Sequence, residues 1–244
     1  MVAVGGDGTV NEVANGILST PDIVVTLGVI GTGGGCCFGN SLGIPRDYHK
    51  AVLQLCHPRK RRIDVALINY VHQGKKQKRY LINHADIGFG AEATRKWNNI
   101  PPKTGRGVSF GLRFGAIVAS LKDHHNIPLE VEMDGHILQT NSSQIILENG
   151  QYFANKMLAA PSAKLDDGLL DIIMLNNVSK LELLSLIPRT YNGSYIKHPK
   201  VSTYQVRNIE VKSQKQFYIE VDGEFIGEGP ISISVLPSSL TVAV

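Results

Sequence analysis

The run Gly5-Gly6-Asp7-Gly8-Thr9 constrains this chain more than any other feature. It follows a short apolar stretch, Val2–Val4. It precedes Asn11–Leu18, where Val10, Val13, Ala14 and Ile17 fall on one helical face. Strand, glycine turn and helix in that order define a βα unit. Glycines tolerate positive φ and let backbone N–H groups come close to a phosphate. The helix N-terminus adds partial positive charge, and Thr9 adds a hydroxyl. Asp7 alone repels phosphate, so it points to an intervening cation or to a polar orienting role. The competing reading is a plain βα turn with an Asp helix cap. The run has no Gly-Lys-Ser/Thr of a Walker loop and is not a GxGxxG fingerprint.

A second β-branched run, Val24–Ile30, enters a loop with Gly31, Gly33, Gly34 and Gly35. Tyr48–Cys56 reads as a helix that stops before Pro58. These repeats predict a parallel α/β sheet. The pattern changes near Lys60. Arg62–Asn69, Arg79–His84, Leu129–Met133, Gln144–Leu147, Leu169–Leu175, Val206–Lys212, Phe217–Val221 and Ile231–Val235 read as strands. Turn signals such as Asp134-Gly135, Asn149-Gly150 and Asp222-Gly223 separate most of them. Helices are expected at Gly107–Lys122 and Lys180–Ile187. The fold class is therefore α/β plus β: a partial parallel α/β unit over 1–60, then a mostly antiparallel, β-sandwich-like unit over 61–244. Only two or three strands precede the β unit, where open sheets have about four to six. A chain that begins here is expected to lack neighbouring strands.

Composition narrows the classes further. The 244 residues are 43% hydrophobic and 19% charged, which excludes a disordered chain. Net charge is 25 − 21 = +4. Much of the surplus sits in Arg59–Arg62 and Lys75–Arg79, read as solvated loop charge, and it makes no case for nucleic acid. No run of about 18 apolar residues exists to span a membrane. The N-terminus has no secretory pattern. Cys36, Cys37 and Cys56 form neither a disulfide framework nor a zinc pattern, which suggests a reducing, cytoplasmic setting.

GGDGTVNEVANGIL resembles the nucleotide-binding signature of the diacylglycerol kinase catalytic family, which includes bacterial lipid kinases and sphingosine kinases. NAD kinases and phosphofructokinases share GGDG, and Asn11-Glu12 favours the lipid kinases. Further matching stretches are SLGIP (Ser41–Pro45), RRIDVALIN (Arg61–Asn69), INHADIGFGAEATRKW (Ile82–Trp97), NGQYFANKMLAAPSAKLDDGLLDIIML (Asn149–Leu175), KHPKV (Lys197–Val201) and VDGE (Val221–Glu224). The resemblance implies an ATP- and Mg²⁺-dependent kinase with its active site in the cleft between two domains. Its acceptor would be the hydroxyl of diacylglycerol or a related lipid, met at the inner membrane face. Gly5, Gly6, Asp7, Gly8, Thr9, Val10 and Asn11 would hold the ATP phosphates, with Glu12 and Gly34 beside them. Asp167 would bind Mg²⁺ together with the backbone carbonyls of Lys164 and Leu169. Asp222 would be the general base, Glu224 an acidic neighbour in the metal-linked network, and Asp7 a further acid of the site. Oligomeric state stays open, a homodimer included.

The sequence departs from the family at the second glycine loop. Cys36-Cys37 replaces the usual Asn-Asp, Gly34 stands at the Thr position and Asn40 at the Arg position. A buried thiol does not replace a carboxylate. The N-P-x-x-G unit that opens family members is absent. Two alternatives therefore accompany the lipid kinase: a weak or inactive lipid- or nucleotide-binding homologue, and an NAD-kinase-like enzyme. Asp222-Gly223 and Asp166-Asp167-Gly168 also suit ordinary turns, as Asp134-Gly135 does. His84, His124 and His125 read as solvated or structural. Trp97, Phe110 and Phe114 suit core packing better than an acyl pocket.

Overall fold

The structure, a computed structural model, describes residues 1–20, 24–32, 36–99, 115, 117–154 and 156–244. Strand β1 (Val2–Gly5) leads through Gly6 into α1 (Asp7–Leu18). The helix starts ahead of its apolar stripe, because extended Gly6 is the N-cap and Val10 N–H already bonds to its carbonyl at 3.1 Å. Val10, Ala14 and Ile17 are buried as the stripe requires. β1 pairs in parallel with β2 (Thr26–Gly31). Gly34 lies outside the described residues. Two helices follow, α2 (Cys37–Ser41) and α3 (Tyr48–Cys56). Asp47 caps α3 by accepting Lys50 N–H at 3.1 Å.

The next elements are β3 (Lys60–His72), β4 (Lys75–Leu81), β5 (His84–Gly88) and α4 (Phe89–Asn98). Residues 117–122 are helical, within the helix expected at 107–122. The remainder of that stretch, Phe110 and Phe114 included, is outside the described residues apart from residue 115. Then come β6 (Ile127–Met133), β7 (His136–Glu148), the short pair β8 (Tyr152–Phe153) and β9 (Met157–Leu158), and β10 (Leu170–Asn176). A helix at Lys180–Leu186, opened by a Ser179–Glu182 capping box, precedes β11 (Val201–Val206), β12 (Asn208–Lys212), β13 (Tyr218–Val221) and β14 (Glu224–Ala243).

The antiparallel strands close on themselves. β14 pairs β12, β12 pairs β6, β6 pairs β7, β7 pairs β5, β5 pairs β13, and β13 returns to β14. Closure leaves this six-stranded ring without an edge. Strands β10 and β11 extend it from β7, and β3 and β4 from β14. Its interior is packed with Ala66, Ile87, Ile145, Leu147, Val211, Ile219 and neighbours.

β14 serves both parts of the molecule. Its pairing with β3 slips between Leu236 and Leu240, and beyond that break Thr241 and Val242 pair in parallel with Thr26 and Leu27 of β2. The α/β sheet thus runs β1-β2-β14, with the start of β3 as its next strand. Residues 240–243 and 60–63 thus add two strands to the α/β sheet on the β2 side. Ile63, Val65, Leu240 and Val242 share a core with Ala3, Val10, Leu27 and Phe38.

Candidate active site

Asn11 and Asp222 stand 211 residues apart in sequence and meet in the fold. Asn11 is fully buried on α1, and its Nδ2 donates to Asp222 Oδ2 at 2.6 Å and to the Tyr80 carbonyl at 3.0 Å. Asp222 opens the turn between β13 and β14 in the left-handed region, φ +49°. Its Oδ1 accepts His84 N–H at 2.9 Å, and Oδ2 also accepts Ile82 N–H at 3.3 Å. Burial pushes its carboxyl up to about 7, with the Asp7 and Glu220 charges adding to the rise and the His84 and Ile82 amides opposing it. A carboxylate near 7 can take a proton at neutral pH.

Glu224 lies two residues on and is half-buried. A Cβ on Gly8 would stand 3.6 Å from Glu224 Oε1, so the glycine loop and this acid are neighbours. Arg79 ties the group together. Its Nη2 meets Glu224 Oε2 at 2.6 Å, and both Nε and Nη2 donate to Asn11 Oδ1, at 3.1 and 2.8 Å. Asn15 joins by donating to Asn11 Oδ1 and accepting Tyr80 N–H.

The Asp7 carboxylate is engaged by the backbone of the second loop. It accepts the N–H groups of Cys37 and Phe38, each at 2.9 Å, and so caps α2. Burial raises its carboxyl and these bonds oppose the rise. Gly5 is tightly placed: a Cβ there would come within 2.7 Å of Thr9. No side chain caps α1, so its first turn keeps N–H groups for an anion. Thr9 and Glu12 are exposed, while Val10 is turned into the core. Cys37 is buried, and burial pushes the Cys36 thiol up to about 11, far from a reactive thiolate.

The Lys164–Leu169 loop is held separately. Asp64, buried on β3, accepts Gly168 N–H at 2.6 Å and Ser238 N–H at 2.7 Å, and Arg61 pairs with Asp166 at 2.8 Å. Asp167 is exposed and accepts Leu169 N–H at 3.1 Å. Among the described residues no hydrogen bond or ion pair joins this loop to Asp222, Glu224 or the glycine run. No three His, Cys, Asp or Glu side chains among them are grouped to hold a metal. An exposed carboxylate on a turn that also offers carbonyl oxygens fits a largely hydrated hard cation, not a full protein cage.

A cavity of about 300 Å³ lies further along β5 and β13, walled among others by Phe89, Glu92, Arg95, His124, Phe217 and Tyr218. His84 and Gly88 are the two ends of β5, so the cavity is roughly 13 Å from the Asp222 contact. Arg95 stacks over Tyr218 at 4.5 Å.

Two family models match the chain. Residues 1–68 match the diacylglycerol kinase catalytic domain, and residues 84–244 match the YegS C-terminal NAD kinase beta sandwich-like domain. The chain belongs to the diacylglycerol kinase catalytic-domain family. A diacylglycerol kinase of Staphylococcus carnosus is 28% identical over 242 residues, 99% of this chain and 75% of that protein. One from Staphylococcus aureus strain Newman is 29% identical, over 99% and 73%. Among solved structures, a putative diacylglycerol kinase from Bacillus anthracis superposes with TM-score 0.77 at 22% identity, over 99% of this chain and 75% of that one. Yeast NADH kinase shares the fold more distantly, with TM-score 0.52, 14% identity and 99% and 60% covered.

Sequence reasoning missed several residues of this family member's site. Arg79 was grouped with Lys75–Lys78 as solvated charge. Lys75, Lys76, Gln77 and Lys78 are exposed as expected, but Arg79 turns in at the buried end of β4. Its place directly before Tyr80-Leu81 was the available signal. His84 is structural, not solvated: it is buried between Glu148 and Glu220. Asn15 and Asp64 lie within the matching stretches GGDGTVNEVANGIL and RRIDVALIN but were given no role there, and Glu148 and Glu220 carried no motif.

Proposed function

We propose that this chain is an ATP-dependent lipid kinase that moves the γ-phosphoryl group to the hydroxyl of diacylglycerol or a related lipid. The observation that carries the reading is the 2.6 Å bond between Asn11 and Asp222, which brings a buried carboxylate to the helix that follows the glycine run. In this reading the α/β part, 1–60, takes the nucleotide and 61–244 takes the acceptor, with the site in the cleft between them. The first-turn N–H groups of α1 receive the phosphates. Asp222 accepts the hydroxyl proton as the acceptor oxygen bonds to phosphorus and the bond to ADP breaks. Arg79 holds Glu224 and Asn11 in place beside it. Mg²⁺, when bound, would screen phosphate charge, and Asp167 with the Lys164 and Leu169 carbonyls would be its protein ligands.

The cavity lined by Phe89, Phe217 and Tyr218 supports an apolar acceptor. Among the described residues no helix is long and apolar enough to cross a membrane, so the acceptor would be met at a surface. Radiolabelled phosphate transfer from ATP to diacylglycerol in mixed micelles tests the reading. Asp222→Asn should cut kcat by roughly 10²–10⁴-fold. No transfer by the wild type, or transfer unchanged in Asp222→Asn, ends it. A weak or non-catalytic binding homologue is the second reading, favoured by Cys36-Cys37 and by Asp7 being fully engaged as a cap. It predicts nucleotide binding without turnover.

A further inference from the structure

Beneath Asp222 lies a buried charged triad that reaches the chemistry only through Asp222, whose carboxyl the Glu220 charge helps to raise. His84 Nδ1 meets Glu148 Oε1 at 2.6 Å, and His84 Nε2 meets Glu220 Oε2 at 3.2 Å. The ring also stacks on Phe153, centroids 4.7 Å apart. His84, Glu148 and Glu220 are each buried. They come from three adjacent strands, β5 flanked by β7 and β13. Replacing such a group by apolar side chains is often neutral or stabilising, so stability alone is a weak reason for it. Its connections supply a stronger one.

We propose that the Glu148–His84–Glu220 triad is a positioning unit that fixes the Asp222 turn. His84 grips Asp222 twice through its main chain: its N–H donates to Oδ1, and its carbonyl accepts Asp222 N–H, both at 2.9 Å. Glu220 completes the clamp. One of its oxygens faces the His84 ring, and the other accepts Gly223 N–H in the turn itself. The ring therefore links β7 to the residue that follows Asp222. Asp222 sits in the left-handed region, where a non-glycine residue needs outside support. The charged groups facing the ring are Glu148, Glu220 and, at longer range, Asp86 and Asp7. Burial works against the imidazolium, yet the Glu148 and Glu220 carboxylates hold it well above its usual range. The clamp thus has its cation at neutral pH.

The inference rests on Asp222 being the base, and its test separates the two. In the full chain, Glu220→Leu should lower kcat for diacylglycerol phosphorylation at least tenfold while KM for ATP stays within twofold. Glu220→Gln, which keeps an acceptor for Gly223 N–H, should restore most of that loss. Glu148→Gln loosens the far end and should lower kcat with the same split. Equal kcat in folded Glu220→Leu and wild type overturns the proposal, as does a loss carried by KM. Wild-type kcat in Asp222→Asn instead removes the base reading. Amide exchange then still decides the clamp: Gly223 should exchange at least tenfold faster in Glu220→Leu than in Glu220→Gln, and equal rates overturn it whether or not the chain turns over.

Discussion

Arg79 shows how much one side chain can organise. Its planar fork donates to Asn11 and pairs with Glu224, so α1 and β14 are both referred to β4. A lysine lacks the Nε donor and the rigid fork, so it cannot reproduce the paired Nε and Nη2 bonds to Asn11. Arg79→Lys should therefore lose nearly as much as Arg79→Met, a fall of about 10–100-fold in kcat/KM for lipid phosphorylation, or roughly 1.4–2.7 kcal/mol. Steady-state kinetics on both variants checks this. Buried acids add a pH dependence at the same scale. Asp86 and Glu148 are each held near 7, burial being the largest cause. Their folded values exceed their unfolded ones, so the folded protein binds protons that the unfolded chain has released. Stability should then fall as pH rises from about 4 toward 7. His84 acts in the same direction at higher pH, since its stabilising charge is lost as pH climbs through its raised value. Thermal midpoints between pH 5 and 8 should decline, and Asp86→Asn should flatten the decline. A midpoint that rises with pH across this window contradicts the reading.

At the scale of elements, the glycine run was legible because its chemistry is local. An apolar strand, a permissive turn and an amphipathic stripe were all written within residues 2–18, and β1 and α1 form there. Helix α3 and the cores of most β strands were legible for the same reason. β5 was not, because His84-Ala85-Asp86-Ile87 places two ionisable residues in a fully buried strand. Their carboxylate and amide partners, Glu148, Gln144 and Glu220, lie on β7 and β13, which no local pattern can reveal. Asp222 and Asp134 look alike in sequence, and both sit at positive φ in turns. Partners separate them: Asp134 is exposed and binds the Arg207 and Asn208 amides, whereas Asp222 is enclosed by Asn11, Ile82 and His84. Asp7 was legible as a site residue, but its receiving element, the five-residue helix α2, was not. Asp7→Ala should free the Cys37 and Phe38 amides and cost about 1–2 kcal/mol. Asp7→Asn, with one acceptor left, should cost less. Chemical denaturation of both variants gives the comparison.

At the scale of the whole molecule, β14 is what makes two units behave as one. Its first half closes the six-stranded ring against β13 and β12, and its last residues enter the α/β sheet between β2 and the start of β3. The slip between Leu236 and Leu240 is where the strand changes partners. An α/β half that borrows a strand from the chain's far end cannot unfold alone without exposing Leu240 and Val242, both fully buried. Unfolding should therefore be a single transition with matching calorimetric and van't Hoff enthalpies. Two resolved transitions would show that the units are independent. Val242→Asp puts an unpaired carboxylate into the core shared by Ala3, Leu27 and Phe38. It should cost at least about 3 kcal/mol, because no partner there can offset its desolvation. Coupling makes a sharper demand. The same substitution, 20 residues from the candidate base in sequence, should weaken nucleotide binding and lower the melting of the β unit together. Loss of nucleotide binding with an unchanged transition for the ring would mean that β14 joins the two parts without coupling them.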